Sequence, residues 1–127
     1  MGDWSAQAWG NDEATDWFQR FWQQADFSVL IDEISNFDPL EERYDAIRAA
    51  SYLLQTLGIV YVWPVRHGDI LKPLLEKAIA ILSDMIAPPD EDWGFLEMWG
   101  HDAEVIAAVN SQIEALRARL GELAVTS

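Results

Sequence analysis

The sequence predicts an all-α fold: a single compact domain of five or six helices over residues 1–127, crossed by an extended apolar segment near residues 59–66. Three observations predict it. Apolar residues recur at steps of three and four along most of the chain, the period of one helix face. The β-branched and aromatic run from Ile59 to Val65 has no second run to pair with, and a lone strand leaves its backbone groups unmet. Half of the 127 residues are apolar, enough for one core without disulfide or metal support.

Asn11 is the expected cap of the first helix, and Asp12 and Glu13 follow in its first turn, where the helix dipole favours carboxylates. Ala14, Trp17, Phe18, Phe21, Trp22 and Ala25 form its apolar face. Asp26 caps a short second helix with Phe27, Leu30, Ile31 and Ile34 turned inward. Asp38-Pro39-Leu40-Glu41 then spells a helix start: a cap, a proline at the first position, and a glutamate that reaches back to the cap's N–H. Leu40, Tyr44, Ile47, Ser51 and Leu54 carry the stripe of this third helix, widened by Leu53 and Leu57. Gly58 stops it in the left-handed conformation.

The run from Ile59 to Val65 crosses to a fourth helix bearing Leu71, Leu74, Leu75, Ala78, Ile79, Leu82 and Ile86. Pro73 lacks an N–H, so the start of that helix falls between Asp69 and Lys72, and Pro88-Pro89 ends it. Asp90 to Gly100 reads as a loop and one helical turn. The last helix runs from about Asp102 to Leu123. Its stripe of Ile106, Val109, Ile113, Leu116, Leu120 and Leu123 needs a partner groove, in this chain or in another copy.

The net charge is −14, from 22 Asp+Glu against 8 Lys+Arg. That argues against nucleic acid, whose affinity comes largely from cations on phosphates, and against an anionic membrane surface. Residues 1–45 carry −9, residues 46–77 carry +2 and residues 78–127 carry −7, so two acidic arms flank a mildly basic middle. Such acidity serves solubility, or it attracts a basic protein partner. With no Cys, disulfide scaffolds, thiol catalysis and cysteine zinc sites are excluded. The opening residues lack the basic and apolar regions of an export signal, and Ile59 to Val65 is too short to span a bilayer. A cytoplasmic protein is expected.

Met1-Gly2-Asp3-Trp4, Trp9, Asn11-Asp12-Glu13-Ala14 and Asp16-Trp17 form an opening that resembles the bacterial domain of unknown function 4259 family. The likeness continues through Ile47-Arg48-Ala49-Ala50-Ser51-Tyr52, Leu96-Glu97-Met98-Trp99 and Leu116-Arg117-Ala118-Arg119-Leu120. Ser5 stands where that family has Gly, and Gln7-Ala8 replaces its Gly-Pro. The resemblance implies a helical fold and a bacterial source. It brings no activity and no catalytic residues.

Three clusters are candidates for chemistry. Trp4 and Trp9 with Asp12, Glu13 and Asp16 combine aromatic anchors with acids, as a surface for a basic partner does; the alternative is that the tryptophans fold back as a lid on the core. Arg66-His67-Gly68-Asp69 brings an anion binder beside a base, yet sequence neighbours rarely point at one centre, and ordinary loop polarity accounts for them. Asp90, Glu91 and Asp92 with Glu97, His101 and Asp102 hold groups that ligate divalent metals. They lack the rhythm of a calcium loop, and Glu97 and His101 share a face only if helix runs through Gly100. No phosphate loop, nucleophile elbow or His-Glu-x-x-His occurs, so no catalytic residue, metal or cofactor is assigned.

The expected function is binding of a basic protein, in its most concrete form as an immunity- or antitoxin-like neutraliser. The alternatives are a metal-dependent hydrolase using the acids from Asp90 to Asp102 with His67 or His101, and a structural homodimer built on the last helix.

Overall fold

Aromatic packing starts the fold. The computed structural model of the protein describes residues 12–126, so Asn11 and its expected cap lie outside the described residues. Helix α1 (Asp12–Trp22) carries Asp12 and Glu13 in its first turn and Arg20 in its last, the order the helix dipole favours. Trp22 is buried, and its indole N–H donates to the Val62 carbonyl. Edge-on ring contacts run from Trp22 to Phe27 at 4.8 Å between centroids and from Phe27 to Trp63 at 5.3 Å. Such pairs are worth about 0.5–1.5 kcal/mol each beyond the area they bury. The Gln19 amide meets the same segment, donating to the Trp63 carbonyl at 3.2 Å and accepting the Val65 N–H at 3.0 Å. Asp26 accepts the Ser28 N–H at 2.9 Å and opens α2 (Ser28–Ser35), which buries Leu30 and Ile34.

The Asp38-Pro39-Leu40-Glu41 signal begins a single 3-10 turn rather than the long helix expected of it. Asp38 caps that turn, accepting the Leu40 N–H at 3.0 Å, but Glu42 is left-handed with φ 55° and α3 (Tyr44–Leu57) begins beyond it. With this break the Tyr44 ring is fully buried, and its hydroxyl donates to the Pro39 carbonyl at 2.9 Å. Leu40 leaves the stripe and is exposed. The rest of α3 buries Ile47, Ala50, Ser51 and Leu54. Gly58 does end the helix, though at φ −78° and not in the left-handed region. Glycine is needed there because a Cβ would stand 2.4 Å from the Leu54 carbonyl oxygen.

The apolar run crosses from α3 to α4 without forming a strand among the described residues. Its backbone is wound rather than extended. The N–H groups of Val62 and Trp63 both donate to the Ile59 carbonyl at 2.8 Å, and Val65–Ile70 continues as 3-10 turns. Local turns satisfy donors that no neighbouring strand is present to take.

Helix α4 (Leu71–Ile86) buries Leu71, Leu74, Leu75, Ala78 and Leu82 together with Ile81 and Met85, while Ile79 and Ile86 are only half-buried. One turn, α5 (Phe95–Met98), places Phe95 in the core. Asp102 then caps α6 (Ala103–Thr126), accepting the N–H groups of Glu104 at 2.8 Å and Val105 at 3.1 Å. Val109, Ile113 and Leu116 of α6 are buried, and the helix packs on α4 and α3. Its partner groove is therefore in this chain. One core cluster takes buried residues from all six α-helices among the described residues.

Candidate functional site

Trp4 and Trp9 lie outside the described residues. Asp12, Glu13 and Asp16 are placed on α1, with Asp12 and Glu13 in its first turn. On a helix, residues four apart are neighbours. Glu13, Trp17 and Phe21 therefore share one row, and Asp12, Asp16 and Arg20 the next. Trp17 is 51% exposed and Phe21 50%, and their rings stack at 5.4 Å with 15° between planes. The inward side of α1 belongs to Trp22 and the half-buried Phe18, whose rings lie 6.4 Å apart. The apolar face expected of α1 is thus divided, with Trp22 in the core, Phe18 half-buried against it and two aromatics at the surface. The signal was available as a repeated aromatic doublet, Trp17-Phe18 and Phe21-Trp22. Adjacent residues point about 100° apart on a helix, too far for all four to face one core.

Arg66 to Asp69 do not assemble a centre. The Arg66 guanidinium donates to the carbonyls of Ala25 at 2.9 Å and Trp22 at 2.7 Å, the latter also accepting the Ala25 N–H at 3.2 Å, so it ties down the end of α1. His67 stacks on Phe27 at 6.3 Å and its carbonyl accepts the Trp63 indole N–H at 2.8 Å, while Asp69 is exposed. Asp26 sits nearby, held below the usual carboxylate range first by the Ser28 hydroxyl and N–H and then by Arg66 and His67. These contacts tie α1 to the crossover.

The acids of the Asp90 to Asp102 cluster also serve the backbone. Asp90 accepts the Asp92 N–H at 2.9 Å, and Asp102 is the α6 cap. Gly100 and His101 both have positive φ, at 59° and 55°, so α5 stops before Glu97 and His101 can share a helix face. Among the described residues, no three His, Asp or Glu side chains gather as a cation site.

Two further surfaces line α3. Between α2 and α3 lies an apolar trough of about 380 Å³, floored by Ala46, Ala49 and Ala50 and walled by Phe27, Leu30 and Leu53. Its acidic rim is already occupied: Glu33 takes a two-pronged contact from Arg43 at 2.7 and 2.9 Å, which holds its carboxyl below the usual range. On the other side of α3 an open cleft faces α6. Among the described residues no helix is long and apolar enough to cross a membrane. In comparisons with known proteins, the chain matches no family model, no curated protein and no solved structure.

Proposed function

We propose that this chain is a protein-binding module that takes a basic partner on the outer face of α1, acting as an immunity- or antitoxin-like neutraliser. The single observation that carries the reading is the exposed Trp17–Phe21 stack on the helix that bears Asp12, Glu13 and Asp16. Aromatic side chains ringed by polar groups are the usual energetic centres of interfaces. Acids around them steer a cationic partner and raise its association rate. A net charge of −14 extends that steering over the whole molecule. A bacterial, cytoplasmic setting belongs to the same proposal: the bacterial source comes from the resemblance of the opening residues to the 4259 family, and the cytoplasmic setting from a sequence without cysteine.

The test is capture from bacterial lysate at low and high salt, with captured proteins identified by mass. Binding of a basic protein that weakens with salt, and that Trp17→Ala or Phe21→Ala removes while the variant remains folded at the assay temperature, supports the reading. Loss of the edge-on contacts that Trp17 and Phe21 make with Phe18 and Trp22 lowers the melting temperature only modestly. Capture that survives both substitutions and high salt overturns it.

A further inference from the structure

The cleft between α3 and α6 has the makings of a small-molecule site. Asp45, Arg48 and Tyr52 follow at steps of three and four along α3, and Ser111 and Gln112 of α6 lie across from them, with Trp99 also in the lining. Its volume of about 730 Å³ falls in the range of ligand clefts.

Arg48 is held in place by a reciprocal pair of bonds. Its Nε–H donates to Gln112 Oε1 at 2.9 Å, and Gln112 Nε2 donates back to the Arg48 carbonyl at 2.9 Å. The two terminal nitrogens of the guanidinium have no acceptor among the described residues, although the chain carries 22 carboxylates and Asp45 lies one turn away. Arg43 and Arg119 are spent on glutamates and Arg66 on carbonyls. Arg48 is fixed with its carboxylate-binding edge unused, and that planar fork matches a carboxylate in two-pronged fashion.

Tyr52 and Trp99 are 57% and 41% exposed, and neither ring touches another aromatic ring among the described residues. Aromatic faces left without partners stack well on a planar ring. Asp45 beside the cation disfavours a doubly charged anion and accepts from a donor substituent such as an amino or hydroxyl group.

We propose that this cleft binds a small aromatic carboxylate, its carboxylate on the terminal nitrogens of Arg48 and its ring against Tyr52 and Trp99. The site is separate from the α1 face and does not depend on the protein-binding reading.

The experiment is titration of the ¹⁵N-labelled protein with 4-aminobenzoate, benzoate, benzamide and cyclohexanecarboxylate, following the Trp99 indole and the Arg48 Nε–H signals. Saturable shifts are expected with the two aromatic acids, with Kd on the order of 1 mM or tighter. Benzamide, which lacks the charge, and cyclohexanecarboxylate, which lacks the planar ring, should bind at least about tenfold more weakly. Arg48→Gln should weaken 4-aminobenzoate by at least about tenfold. Tyr52→Ala changes an exposed side chain and tests the ring contact without disturbing the core; it should weaken binding severalfold. The absence of saturable shifts at millimolar 4-aminobenzoate overturns the proposal. So does equal binding of benzamide or cyclohexanecarboxylate, or binding unchanged in Tyr52→Ala. Trp17→Ala with Phe21→Ala should leave the titration unaltered, which keeps this site's outcome distinct from that of the α1 face.

Discussion

The Tyr44 hydroxyl accepts the Gly94 N–H at 3.0 Å while donating to the Pro39 carbonyl at 2.9 Å, so one buried phenol joins the turn before α3 to the turn before α5. Burial raises its pKa first, helped by the charges of Glu42, Glu97 and Asp38, and the Gly94 contact opposes this. Removing the hydroxyl leaves the Gly94 N–H without its acceptor. Tyr44→Phe should lower the unfolding free energy by about 1–3 kcal/mol in urea titration. Because the folded pKa lies above the unfolded one, the neutral phenol's contribution is full below about pH 10 and is lost as pH rises beyond it. The difference between wild type and Tyr44→Phe should shrink over that alkaline range.

Ser51 is fully buried on α3, and its hydroxyl has no hydrogen-bond partner among the described residues. Ser51→Ala removes an unmet polar group and improves helix propensity. The unfolding free energy should rise by about 1 kcal/mol. A lower urea midpoint would show that the hydroxyl finds a partner in solution.

Two glycines should respond in opposite directions. At Gly58 a Cβ meets the Leu54 carbonyl oxygen at 2.4 Å, so Gly58→Ala should destabilise by more than about 1 kcal/mol. Gly121 lies within α6 with open space where a methyl group would stand, so Gly121→Ala should stabilise by up to about 1 kcal/mol. Thermal melts of the two variants decide both.

Glu33 is held below the ordinary glutamate value, first by the hydrogen bonds from Arg43, and its contribution to stability has a definite pH direction. It is fully present above about pH 4.3, the unfolded value, and is lost as pH falls through the lower folded value. Glu33→Gln should therefore melt earlier than wild type at neutral pH and together with it in strong acid. The Arg43 side of the pair is 53% exposed, so the gap at neutral pH should be small and should close with added salt.

Helix content was legible because periodicity is local: the stripes of α4 and α6 and the cap at Asp38 depend on residues within a few turns. The all-α class and the absence of a strand at the crossover follow from that pattern and from the missing second run. What lay beyond the sequence was decided by contacts across long separations. The Asp38 start shrank to one turn and Tyr44 was drawn into the core, where it bonds to Gly94, fifty positions on. The α6 stripe found its groove on α4 and α3, a matter of packing that its spacing leaves open. The acids expected to meet a partner, Asp12, Glu13 and Asp16, follow from the helix start, but which α1 aromatics remain at the surface was settled by Trp22 and Phe18 taking the inward side. The Arg48–Gln112 clamp joins residues 64 positions apart, so no local pattern marks its cleft. Sequence determines which faces are apolar and where helices begin and end; tertiary packing decides which apolar residue gets the core and which is left for something else to bind.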